Sequence, residues 1–107
     1  MTTELSLTTT TRADGTRVLV AAGEIDLSNN DAFGAAVAEG IAEAGSLVVD
    51  LTAVQYLDSS ALHSLFTHAD GITVVAGPML MPVLTVSGLT QLTTVEEVSS
   101  QPGQTPV

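Results

Sequence analysis

The residues best suited to chemistry are Asp58-Ser59-Ser60, with His63 close behind. They follow a compact apolar run, Leu47-Val48-Val49-Asp50-Leu51, and open the next amphipathic segment, which places two hydroxyls at a helix N-terminus. Free backbone N–H groups and the helix dipole stabilise an anion there, each by about 0.3 to 1 kcal/mol at an exposed site. Asp and Ser are also the residues that cap helices, and spacing alone reads the stretch as a cap. Asp58, Ser59 and His63 are the residue types of a hydrolase triad. The glycine-flanked nucleophile elbow is absent, however, and a triad needs its base held by a third group, which argues against turnover at Ser59. His63 and His68 do not share the three- or four-residue spacing of helical neighbours, and the chain has no cysteine, so a metal site is disfavoured. Neither G-x-x-x-x-G-K-S/T nor G-x-G-x-x-G occurs, which removes the common nucleotide-binding loops.

The elements needed to position these groups can be read along the chain. Leu5 and Leu7 alternate with polar residues, Ala13-Asp14-Gly15-Thr16 has turn chemistry, and Val18 to Val20 follow, which predicts a β-hairpin. Arg12 and Arg17 flank its turn as solvated cations. Ser28 with Asp31 three residues later is a variant capping box, so a helix is expected from there to Ala44, ended by Gly45. Its apolar stripe is Phe33, Ala36, Val37, Gly40, Ile41 and Ala44, and its small residues would let it approach a sheet closely. A third strand is predicted at 46–51, with 52–57 as a connection that turns Val54 and Leu57 inward. Helix two then runs from about Ser60 to Ala69, with Leu62, Leu65 and Phe66 buried and Ser59, Ser60, His63 and Ser64 outward. Ile72 to Ala76 reads as strand four, a third helix begins near Met81 because of Pro82, and 92–95 reads as a last strand. Met79, Met81, Leu80, Val83 and Leu84 form an adaptable apolar patch that is expected in the core, with a protein-binding surface as the alternative. Strands alternating with helices predict a largely parallel sheet with right-handed crossovers.

Composition narrows the partners. The 107 residues suit one domain, and the 45% apolar content is ample for a core. Two arginines, no lysine and twelve carboxylates give a formal charge of −10, which argues against binding a phosphate backbone or an anionic lipid surface. No apolar run reaches the ~18 to 20 residues of a membrane span, and no signal-peptide pattern opens the chain. Residues 99–107 are polar and proline-containing, and are expected to be a disordered tail.

Four stretches occur in order: Gly23-Glu24-Ile25-Asp26-Leu27-Ser28, Val48-Val49-Asp50-Leu51 with Val54 and Leu57, Asp58-Ser59-Ser60-Ala61-Leu62, and Ser87-Gly88-Leu89. Together they resemble the STAS domain, shared by anti-sigma-factor antagonists and sulphate transporters, in its free-standing antagonist form. The resemblance runs from about Glu4 to about Val98. It implies one α/β STAS-like domain at 1–98. The expected fold is a mostly parallel sheet of four to five strands with an N-terminal β-hairpin and two to three packed helices, ordered β-β-α-β-α-β-α-β.

The resemblance also implies a function. In such antagonists the serine directly after the motif aspartate, here Ser59, is phosphorylated by an ATP-dependent anti-sigma-factor serine kinase. The unmodified form binds that kinase and releases the sigma factor, the phosphorylated form does not, and a phosphatase resets the switch. Asp58 becomes the acid that shapes the loop, Ser60 the second hydroxyl, and Asp26 a neighbour of the phosphosite at the end of strand two; with His63 they form the expected partner surface. The implied protein is a cytoplasmic bacterial binding module, not an enzyme, with no cofactor of its own because ATP belongs to the partner. The alternative is a STAS accessory subunit of a lipid transporter ATPase or a stress-sensing assembly, using the same face of helix two. Three departures stand out. Ala61 replaces the usual glycine, helix two is shorter by roughly two turns or ~7 residues, and the final helix is missing, since Glu96-Glu97-Val98 runs straight into the tail.

Overall fold

The computed structural model describes residues 4–98; the tail at 99–107 lies outside the described residues. The hairpin forms as expected, with β1 (Leu5–Thr11) antiparallel to β2 (Arg17–Ile25). Its turn is closed by Asp14, whose carboxylate accepts the Thr16 N–H at 2.9 Å. Gly23 occupies a position no other residue would tolerate: its φ is +108°, and a Cβ there would lie 2.4 Å from the Glu4 carbonyl oxygen.

After β2 come α1 (Asn30–Ala44), β3 (Leu47–Leu57), α2 (Ser59–Thr67), β4 (Ile72–Ala76), α3 (Met81–Val86) and β5 (Thr94–Glu97). The five strands lie in sequential order, all parallel after the first pair. Along β2, β3 and β4 one side of the sheet is buried while Val20, Val48, Thr73 and Val75 on the other are half-exposed, the layering expected when right-handed crossovers between successive neighbours put the helices on one face. Burial follows that layering. Leu19, Ala21, Leu47, Val49, Leu51, Ile72, Val74 and Ala76 from the strands pack against Phe33, Val37, Ala61, Leu65 and Leu84 from the helices in one core. Where α1 crosses β3, a Cβ on Gly40 would come within 2.7 Å of a Leu47 methyl, so at this small residue the close approach is required.

Several sequence readings need correction. The segment 52–57 is not a connection but the second half of β3. β3 carries an extra residue against β2 between Val20 and Ala22 and another between Gly23 and Glu24. Each such bulge shifts the inward phase by one, so burial at 47, 49 and 51 continues at 54 and 57, and the alternation that marks a strand is lost. α1 begins at Asn30, not Ser28. α2 covers Ser59–Thr67, and a 3₁₀ turn at Ala69–Gly71 takes the place of its expected last residues. β5 is Thr94–Glu97, because a 3₁₀ turn at Leu89–Gln91 uses up chain first. Phe66 is half-buried at the margin of the core. The Met79–Leu84 group divides: Leu80 and Leu84 are buried, Met81 is half-buried, and Val83 and Met79 are exposed, Met79 at 70%. Arg17 is not simply solvated, since it pairs with Glu43 at 2.7 Å and ties β2 to α1.

Candidate functional site

Two loops meet at the carboxyl end of the parallel strands. The first is the entry to α2. Asp58 is its N-cap in extended backbone (φ −100°, ψ −174°), and one carboxylate oxygen accepts the Ser60 N–H at 3.0 Å and the Ala61 N–H at 3.2 Å. The same oxygen accepts the Ser60 hydroxyl at 2.5 Å. These bonds satisfy donors that a helix start otherwise leaves open. The Asp58 N–H in turn donates to the Ile25 carbonyl at 3.1 Å, fixing the helix start against the end of β2.

The second loop links β2 to α1. The Asp26 carboxylate accepts the Ser28 N–H at 2.9 Å and the Ser28 hydroxyl at 2.6 Å, while the Asp26 carbonyl accepts the Asn30 N–H at 2.8 Å. Asn29 closes the loop from inside, its side-chain oxygen accepting the Asp26 N–H and its amide donating to the Glu24 carbonyl, each at 2.9 Å. Ser28 is thus engaged by Asp26, and the capping box with Asp31 does not form. Leu27, at the tip of this loop, is 83% exposed.

Electrostatics link the loops. The Asp58 carboxyl is held below its ordinary value chiefly by the Ser60 hydroxyl, with the Ala61 and Ser60 N–H groups adding to it; burial and the Asp26 charge act in the opposite direction. Asp26 and Asp58 therefore share one neighbourhood, and any group added at Ser59 meets both. Ser59 itself is exposed, and its hydroxyl makes no hydrogen bond among the described residues, whereas Ser60 is half-buried and engaged. His63 lies four residues after Ser59 on the same exposed helix face.

Sequence reasoning missed the α1–α2 contact. The Ser64 hydroxyl donates to Asn30 Oδ1 at 3.0 Å, and a Cβ on Gly34 would sit 3.3 Å from Ser64 Oγ. The adjacent asparagines Asn29 and Asn30, residues that favour side-chain-closed turns, were the available signal. Also unforeseen is a cleft of about 360 Å³ where β3 continues beyond its pairing with β4, bounded by Thr52, Val54, Pro78, Met79 and Leu80. Its lining holds no ionisable side chain. Among the described residues no group of three or more His, Asp or Glu is placed to hold a metal ion, and no helix is long and apolar enough to cross a membrane.

The sequence pattern of the STAS domain matches residues 8–77. No protein of curated function matches the sequence. Among solved structures, an anti-sigma factor antagonist from Mycobacterium paratuberculosis is similar at 28% identity and a TM-score of 0.78, over 87% of this chain and 86% of that one. The anti-sigma factor antagonist SpoIIAA in its unphosphorylated form is similar at 14% identity and a TM-score of 0.69, over 89% and 90% of the two chains. The Bacillus cell fate determinant SpoIIAA in its phosphorylated form is similar at 15% identity and a TM-score of 0.59, over 89% and 93%. At those two lower identities the likeness is one of fold.

Proposed function

Because the chain belongs to the STAS domain family, whose pattern spans well over half of it, we propose that it is an anti-sigma-factor antagonist: a binding module, not an enzyme, switched by phosphorylation of Ser59. Its partner in this reading is an anti-sigma-factor serine kinase that brings its own ATP, with a phosphatase to reverse the modification. The similarity to the mycobacterial antagonist supports the general role. The observation that carries the site is the contrast between adjacent serines, since the Ser60 hydroxyl is committed to Asp58 while the exposed Ser59 hydroxyl is uncommitted. An incoming kinase can reach Ser59 without breaking the helix cap.

The docking surface in this proposal is the end of the sheet around Ser59, with Asp26, Asp58, Ser60 and His63. Its carboxylates suit a partner with a basic contact region, and the charge of −10 would speed the encounter. Incubation with an anti-sigma-factor kinase and ATP, followed by phosphosite mapping, tests the reading. Label on Ser59 and loss of kinase binding by the labelled form are expected. Label elsewhere, or undiminished binding, overturns the switch.

A further inference from the structure

The sheet ends on one side in β1, whose outer edge is unusually open to pairing. From Leu5 to Thr11 it is uncharged and contains no proline, and its seven-residue pairing with β2 has no bulge. Edges of this kind are ready templates for another strand, which proteins ordinarily blunt with charge, proline, bulges or short length. The opposite edge is blunted: β5 has four residues and carries Glu96 and Glu97.

Hydrogen-bond parity shows which groups are available. Glu24 N–H donates to the Glu4 carbonyl and Arg12 N–H to the Thr16 carbonyl, so the even residues of β1 bond inward to β2. In an antiparallel ladder the alternate residues then direct N–H and C=O outward, here Leu5, Leu7, Thr9 and Thr11. A second copy of β1 running antiparallel must pair these odd residues with one another. The register centred on Thr8 does so completely, setting Leu5 against Thr11 and Leu7 against Thr9, each twice. The same register sets Glu4 of each copy opposite Arg12 of the other, in the closer-spaced class of cross-strand pair. Among the described residues the one ion pair is Arg17–Glu43, so Arg12, whose charge is felt by Asp14 without forming an ion pair with it, can still take such a partner.

We infer that β1 is the interface of a two-fold symmetric homodimer in which the two sheets join edge to edge into ten strands, with reciprocal Glu4–Arg12 ion pairs fixing the register. Shifting the register by two residues in either direction leaves outward groups unpaired and separates Glu4 from Arg12. The two-fold axis stands perpendicular to the sheet, so both helical layers fall on the same side. Half-buried Leu5 and Leu7, which pack against the core on that side, gain the other copy's Thr11 and Thr9 as neighbours. Ser59 belongs to the α2 entry beyond β3, two strands inward from β1, and remains free in the dimer.

The test is sedimentation velocity on the full chain and on charge-swap variants, with circular dichroism confirming that each is folded. Wild type is expected to show concentration-dependent dimer. Glu4→Arg places Arg opposite Arg12, and Arg12→Glu places Glu opposite Glu4, so each variant alone is expected to dissociate at least tenfold more readily. Mixing the two variants restores opposite charges at both positions, and a heterodimer should return. Thr9→Pro removes an outward N–H and spares the β2 ladder, so it should be folded and monomeric. A wild type that stays monomeric at every attainable concentration, swaps that dimerise as well as wild type, or a mixture that fails to re-associate overturns the interface.

Discussion

The Ser60 hydroxyl sits 2.5 Å from Asp58 Oδ1 and donates to it, so the second of two adjacent serines serves the helix and the first is left to solvent. This division makes the two alanine variants distinguishable. Ser60→Ala is expected to cost about 0.5 to 1.5 kcal/mol, the net worth of a hydrogen bond, and to leave phosphorylation in place. Ser59→Ala is expected to keep stability within about 0.5 kcal/mol of wild type and to abolish labelling. Urea unfolding and kinase assays on the pair would show this, and equal stability losses would mean that Ser60 does not support the cap.

The same bond shapes the response to acid. The folded-state pKa of Asp58 lies below its ordinary value of 3.8, mainly through the Ser60 hydroxyl. A carboxyl shifted downward contributes stability that is fully present above the unfolded value and is lost as pH falls through the folded one. The Asp58 contribution should therefore fade only below 3.8. In Asp58→Asn that loss is absent, and the decline in melting temperature on acidification should be shallower than in wild type. Parallel acid limbs for the two proteins would contradict the shift.

On α2, Leu65 is fully buried, Phe66 half-buried and His63 exposed. Leu65→Ala should cost about 2 to 5 kcal/mol. Phe66→Ala should fall below the ~3 to 5 kcal/mol of a fully buried ring, because part of its area is already in water. His63→Ala should be neutral to stability and should weaken partner binding. Thermal denaturation alongside calorimetric binding separates these cases, and a larger stability loss for His63 than for Phe66 would reverse the orientation.

Gly23 joins the hairpin to the site, since β2 runs on from it to Ile25, directly before Asp26. With φ at +108° and the Glu4 carbonyl 2.4 Å from any Cβ, Gly23→Ala carries a backbone cost of about 1 to 3 kcal/mol and a steric clash in addition. Unfolding measurements should show it as more damaging than Gly15→Ala, where φ is also positive but a Cβ meets nothing within 4 Å. Equal costs would mean that the close approach of β1 is not maintained in solution.

Most of the topology was legible because the helices carry apolar stripes and α1 also a stop signal, with Phe33, Val37 and Gly40 followed by the left-handed cap at Gly45. What failed to show was anything set by two distant segments together. The second half of β3 was hidden because its bulges against β2 change the burial spacing from two to three, visible only once the partner strand is in place. Ser28 reads as a cap in its local window, but the nearer Asp26 carboxylate takes both its N–H and its hydroxyl. At the candidate site, Asp58 as the α2 cap was readable from residue type alone. The Ser64–Asn30 bond was not, because it spans 34 residues and depends on how α1 crosses α2.

Phosphorylation should act on binding and leave the fold alone, because of where the cations lie. Arg17 opens β2 and Arg12 precedes it, whereas Asp58 is tied to Ile25 at the other end of that strand. The nine residues of β2, eight steps of about 3.3 Å, put roughly 26 Å between the two ends, and Arg17 is already held by Glu43. No described Lys or Arg can therefore clasp a phosphate on Ser59 and draw a loop across. The modification adds about −1.5 to −2 charge beside Asp58, with Asp26 near enough to be felt by it. Apart from His63 on the next turn, only the α2 N-terminus offers compensation. A phosphate facing a partner that approaches this surface is then a desolvated, repelled charge, with an expected affinity loss of about 2 to 5 kcal/mol. Backbone chemical shifts of phospho-Ser59 protein should change around residues 58–63 and in the Asp26 loop, and little elsewhere. Calorimetry with the partner should show the weakened complex. Widespread shifts reaching β4 and β5 would point to refolding, and unchanged affinity would remove electrostatic exclusion as the switch.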